Sequence, residues 1–141
     1  MLEVKTVEIN GRTYTIGQMP AAVAFDVGCI VAEWRGKVLG AMGDAALHSL
    51  DAPIDAVAGA GRSISMVAKM LRDTEYRKQV WEPALSVCSC DGVPVLRGDW
   101  QTTYAGDRLA DLYELHNASI AHSCGGFLKG LGLGAVPSPQ V

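Results

Sequence analysis

The sequence predicts a mainly α fold, a small helical domain of about four helices behind an N-terminal β-hairpin. Three observations lead to it. Residues Val7 to Ile16 alternate apolar and polar side chains around Asn10-Gly11, the preferred dipeptide of a two-residue type I′ turn. After Pro20 the apolar residues recur at three-and-four spacing instead of every second position. A length of 141 residues, not divided internally by a Ser/Pro/Gly linker, suits one domain with a buried core.

With Asn10 and Gly11 in the turn, Ile9 lies opposite Arg12, Val7 opposite Tyr14 and Lys5 opposite Ile16. Glu8 opposite Thr13 and Thr6 opposite Thr15 make the other, polar face. A lone hairpin is marginal in water, so Val7, Ile9, Tyr14 and Ile16 require helices over them. The hairpin is placed at residues 3–17, the helical body at 20–130 and a flexible Gly/Pro tail at 131–141; everything after the hairpin reads as helix, turn or extended loop.

Pro20 suits the first turn of a helix, where its missing N–H is not needed. Val23, Val27, Ile30, Val31, Trp34 and Val38 form the apolar stripe of that helix, with Asp26, Glu33 and Lys37 opposite. Gly40 and Gly43 are expected to end it, leaving residues 40–52 as a loop. Asp51 caps a second helix through Ile54, Val57, Ile64, Val67, Met70 and Leu71, softened by Gly59 and Gly61. Asp73 or Thr74 caps a third, whose face is Tyr76, Val80, Ala84, Val87 and Cys88, with a kink or boundary at Pro83. Asp91-Gly92 reads as a turn, followed by extended chain through Gly98. The last helix carries a stripe of Leu109, Leu112, Tyr113, His116, Ile120, Cys124, Phe127 and Leu131, with Asp107, Asp111, Glu114 and Asn117 off it. Gly125 and Gly126 are expected to fray or bend its end.

The composition excludes several classes of function. Twelve Lys and Arg stand against fifteen Asp and Glu, evenly spread, which argues against a nucleic-acid ligand. The basic cluster Lys69, Arg72, Arg77 and Lys78 is interrupted by Asp73 and Glu75 and reads as a solvated helical face. Crossing a membrane takes ~20 consecutive apolar residues, and no run approaches that. The start, Met1-Leu2-Glu3-Val4-Lys5, is polar strand instead of the basic segment of a signal peptide, so a cytoplasmic location is expected. Cys29, Cys88, Cys90 and Cys124 lack the spacing of a disulfide framework and read as reduced fillers.

The sequence carries no assignable catalytic or metal motif. His48, His116 and His122 include no i, i+4 pair, and Cys88-Ser89-Cys90 is not a C-x-x-C motif. Gly59-Ala60-Gly61-Arg62-Ser63 lacks the Lys-Ser/Thr ending of a phosphate loop and reads as a small-residue helix surface. His116 on an apolar stripe reads as a hydrogen-bonded core or interface residue. The expectation is therefore a non-enzymatic protein with no cofactor and no metal. The enzymatic alternative would assemble His116, Tyr113 and Cys124 around a pocket on the last helix.

In order along the chain come the hairpin, Gly17-Gln18-Met19-Pro20, the long first helix, Leu85-Ser86-Val87-Cys88, Trp100, and the closing Asp111-Leu112-Tyr113-Glu114-Leu115 helix. This order, over residues 4 to 130, resembles that of the tail assembly chaperones of long-tailed bacteriophages. The chain departs from the family in its glycine-rich second helix and in an aromatic ending reduced to Phe127-Leu128. The resemblance implies a protein that binds the long helical tape-measure protein, keeps it soluble, helps recruit the tail-tube protein and is absent from the mature virion. It places the contact residues at the exposed parts of two stripes: Val27, Ile30, Val31 and Trp34 on the first helix, and Leu112, Tyr113, Ile120 and Phe127 on the last. The alternative within phage biology is a permanent virion component, such as a tail-completion or connector protein.

Overall fold

The computed structural model describes the backbone of residues 2–48 and 64–133, and the side chains of 2–39 and 64–133. Strands β1 (Val4–Ile9) and β2 (Arg12–Gly17) pair antiparallel in the expected register, with Val7 opposite Tyr14 and Ile9 opposite Arg12. Asn10 and Gly11 both take left-handed backbone angles, φ 50° and 79°, as a type I′ turn demands.

The sheet continues beyond the hairpin, which corrects the reading of one header followed by helices. Strand β3 (Cys88–Cys90) pairs with β2, and β4 (Val93–Pro94) pairs with β3, giving the order β1-β2-β3-β4. Cys88 thus leaves the helical face assigned to it and sits opposite Ile16. Asp91 and Gly92, at φ 51° and 81°, make a second two-residue hairpin turn. Strands of three and two residues are too short to display an alternation, so only the Asp-Gly pair announced them.

Five helices follow among the described residues, one more than expected. Helix α1 (Ala21–His48) does not stop at Gly40 and Gly43. Each glycine costs about 1 kcal/mol in a helix, but no proline removes a hydrogen bond, so the ladder continues. Helix α2 is described over residues 64–72; the proposed Asp51 cap, Ile54, Val57 and the Gly59–Ser63 segment lie outside the described residues. Helix α3, residues 74–86, begins where the Asp73 carboxylate accepts from the Tyr76 N–H at 2.9 Å. Its middle, Arg77–Trp81, is a π turn in which the Glu82 N–H reaches back to the Arg77 carbonyl, five residues away. Pro83 follows at once, in the first turn of the α-helical segment Glu82–Ser86. After α4 (Trp100–Thr103) and a 3₁₀ turn (Gly106–Arg108), helix α5 (Leu109–Gly130) runs through Gly125 and Gly126 unbroken. Gly132, at φ 78°, closes it: the Leu133 N–H bonds to the Leu128 carbonyl at 2.9 Å and the Gly132 N–H to that of Lys129 at 3.0 Å. Residues 134–141 of the expected tail lie outside the described residues.

Among the described residues two clusters make the core. Beneath the sheet, Tyr14, Ile16, Leu85, Cys88, Leu112 and Leu115 pack together. Among the helices, Val27, Val31, Tyr76, Val80, Ile120 and Leu128 do the same. Helices α3 and α5 serve both, joined where Ser119 Oγ donates to the Ala84 carbonyl at 2.7 Å. The buried face of α5 therefore differs from the stripe read from the sequence. Leu109 and Leu131 are exposed, whereas Leu115, Ser119, Leu128 and the supposedly outward Asp111 are buried.

Asp111 is fully buried in the first turn of α5, where the helix dipole favours a negative charge. Its Oδ1 accepts from Asn10 Nδ2 at 2.7 Å, and its Oδ2 accepts from Arg12 Nη1 at 3.1 Å and from the Tyr14 hydroxyl. Burial alone would raise this carboxyl's pKa. The hydrogen bonds from Tyr14, Asn10 and Arg12 outweigh that effect and hold it below the ordinary value. The network extends through Arg108, whose Nη2 donates to Tyr14 Oη at 3.3 Å and to Cys90 Sγ at 3.8 Å while its guanidinium lies 4.5 Å from the centre of the Tyr104 ring. Removing the acceptor these donors share costs about 1–3 kcal/mol, because the Tyr14 hydroxyl is left buried without an acceptor while Asn10 and Arg12 reach water. Asp111→Ala is expected to destabilise the fold by that amount in urea unfolding followed by circular dichroism; a loss under about 1 kcal/mol, the scale of an exposed pair, would show the network is not structural.

Candidate protein-binding surface

Helix α1 is covered on one side by α5 and on another by the π turn of α3. Between α1 and α3 the described residues leave the cover incomplete. One open cleft of about 360 Å³ is lined by Met19, Pro20, Val23, Lys78, Glu82, Pro83, Ser86 and Val87. A second, of about 470 Å³, is lined by Val23, Asp26, Cys29, Ile30, Gln79 and Pro83. They share Val23 and Pro83 and so form one groove. On the α3 side its wall follows the π turn: Lys78 and Gln79 come from the turn itself and Pro83, which brings a ring with no N–H, from the segment after it. The floor is mainly apolar, with Asp26, Lys78 and Glu82 at its margins.

A second apolar feature lies where α1 meets α5. The Phe127 ring packs so closely over Gly28 that a Cβ there would stand 2.8 Å from it. A larger residue at this crossing would have to push the Phe127 ring aside. Phe25 covers the outer side of Phe127, ring centroids 5.4 Å apart, and is itself 60% exposed.

His116 occupies the centre of a third feature, an aromatic cluster from three helices. Its ring centroid lies 5.2 Å from Trp81, 5.7 Å from Tyr76 and 6.1 Å from Tyr113, with Trp34 edge-on to Tyr76 at 6.4 Å. Nδ1 donates to Asn117 Oδ1 at 2.9 Å, and Nε2 accepts from the Tyr76 hydroxyl at 2.6 Å. Burial is the main cause that lowers the imidazole pKa to about 4; the nearby Arg35 charge adds to it and the Asn117 bond opposes it. Burial likewise raises the Tyr76 hydroxyl. Cys124 is a buried thiol donating to the Ala24 carbonyl at 3.2 Å, its pKa raised by burial. His116 and Tyr113 are thus neighbours, but both imidazole nitrogens are engaged, and Cys124 lies in the helical core, two turns along α5.

The eight residues expected at a partner surface separate into different places. Val27, Val31 and Ile120 are buried in the helical core and Leu112 in the sheet core, so these four are core positions and not exposed contacts. Ile30 lines the groove. Trp34 and Tyr113 belong to the His116 cluster, and Phe127 is half-buried under Phe25. Sequence reasoning missed Met19, Pro83 and Val87 as groove residues and Phe25 as the most exposed aromatic. Phe25 stands off the α1 stripe, which was the available signal: an aromatic residue on a face that the periodicity leaves to water.

Among the described residues no group of three His, Cys, Asp or Glu side chains could hold a metal ion, and no helix is long and apolar enough to cross a membrane. Compared with known proteins, the chain matches no family model, no curated protein and no solved structure.

Because His116 is buried neutral, the unfolded chain binds an extra proton between its ordinary pKa of 6.5 and about 4. Stability is then complete above pH 6.5 and falls as the pH drops toward 4, by up to ~3 kcal/mol. Below that, protonation of Asp111, whose folded pKa is lowered, removes more. Urea midpoints measured from pH 7 to 4 should fall in the wild type and stay nearly level in His116→Gln; equal slopes in the two proteins would refute the assignment.

Proposed function

We propose that this chain is a tail assembly chaperone of a long-tailed bacteriophage, acting in the host cytoplasm on the tape-measure protein. It holds apolar helical segments of that protein in the groove between α1 and α3, keeps them soluble, and releases them as tail-tube protein assembles. The observation that supports this reading best is the groove itself: open, mainly apolar, and built from two helices, the setting in which an amphipathic helix docks. Its shallowness suits a temporary complex, since affinity comes from enclosed contacts and an open groove encloses few. The order of sequence elements supports the family reading, and the groove is consistent with a helical ligand.

Co-expression of the chain with the tape-measure protein of the same phage tests the proposal. The wild-type chain is expected to raise that protein's soluble yield and to co-purify with it. Val23→Glu, at a residue 38% exposed and shared by both clefts, is expected to lose capture while keeping its helical circular dichroism. No capture by the wild type would reject the chaperone, and stoichiometric amounts of the chain in purified virions would point to a permanent tail component instead.

A further inference from the structure

Among the described residues, strand β1 forms one edge of the sheet and pairs with β2 alone. The ladder decides which of its backbone groups face outward. The Gln18 N–H donates to the Glu3 carbonyl at 3.1 Å and the Glu3 N–H donates to Gln18 Oε1 at 2.9 Å, so the Glu3 backbone faces inward. Gly17, opposite Val4, sends its N–H away from β1 to the Val87 carbonyl at 2.8 Å. The backbone groups of Val4, and by alternation those of Thr6 and Glu8, therefore face the open edge. No described residue pairs with them there. Beside them two apolar side chains stand in water, Leu2 at 52% and Val4 at 65% exposure.

We infer that a second copy of this chain occupies this edge, β1 against β1, antiparallel about a two-fold axis at Val4. The charges select that centre. An axis at Lys5 or at Glu8 sets like charges directly opposite one another. An axis at Thr6 leaves Glu8 facing Val4, and one at Val7 leaves Lys5 facing Ile9. An axis at Val4 places Lys5 of each copy opposite Glu3 of the other, and Leu2 opposite Thr6. The Val4 pair then exchanges its outward N–H and C=O groups, the Leu2 and Thr6 pairs do the same, and both exposed apolar side chains gain cover.

Three strand spacings separate the β2 strands of the two copies by about 14 Å. The opposite edge does not propagate the sheet, because β4 is two residues long and ends in Pro94, which has no N–H. The assembly closes at two copies. This inference is independent of the tape-measure reading, which concerns another face.

Sedimentation velocity of the full chain over a wide concentration range tests it. A concentration-dependent dimer is expected. Lys5→Glu or Glu3→Lys alone should weaken it by about tenfold or more, as two attractive pairs become repulsive, and the double variant Glu3→Lys/Lys5→Glu should restore it. Val4→Pro should abolish it without loss of strand signal, because the N–H it removes is not used by β2. A monomer at every concentration, a dimer indifferent to these changes, or a double variant that fails to recover would each overturn the inference.

Discussion

The buried Asp111 carboxylate is the constraint on which the arrangement of this protein depends. A hairpin alone is marginal in water, and nothing in two short strands says where a helix should cross them. Asp111 settles that by accepting from Asn10 in the turn and from Arg12 and Tyr14 on β2, which fixes the start of α5 against one end of the sheet. Three donors and a helix N-terminus compensate the charge for its loss of water. Arg108 carries the same network on to Cys90 on β3, so one acidic side chain connects the turn, two strands and the last helix. Asn10 serves twice, through its tolerance of positive φ and through its side-chain amide.

With α5 held at one end, its length divides between two tasks. Its first turns cover the sheet through Leu112 and Leu115, and its later turns pack on α1 through Ile120, Cys124 and Leu128. Helix α3 makes the same transition, with a π turn and Pro83 in its middle. The π turn packs on α1 through Val80, and the groove we assign to a helical partner opens beside it, along Val23 and Pro83. The groove and the free edge of β1 lie on different elements, so pairing of two copies and binding of a partner helix need not compete.

Much of the fold was legible from local chemistry. The hairpin and its register follow from Asn-Gly and a period of two, the cap at Asp73 from its place before the third stripe, and the long helices from their apolar spacing. Where the structure departs from the sequence reading, the reason is local in one case and non-local in another. Glycines at 40 and 43 signalled a stop, yet α1 continues to His48. The Asp91-Gly92 turn signalled a loop, yet it joins two strands because β2 offered an edge to pair with. Of the eight expected contact residues four are buried in the core and Ile30 lines the groove, because apolar periodicity marks the residues that pack inside as readily as those left uncovered.

The sequence by itself determined the class of the domain, the hairpin and its register, the helical stripes, and a balance of charge that disfavours a polyanionic ligand. These properties depend on residues within a few positions of one another, where backbone preference and side-chain period suffice. Tertiary structure alone decided that Asp111 is buried, that β3 and β4 extend the sheet, that His116 is neutral at the centre of an aromatic cluster, and that Val23, Ile30 and Pro83 share a groove. Each of these rests on partners far apart in the chain, such as Asn10 with Asp111 or Tyr76 with His116, and no local pattern encodes a meeting at that distance.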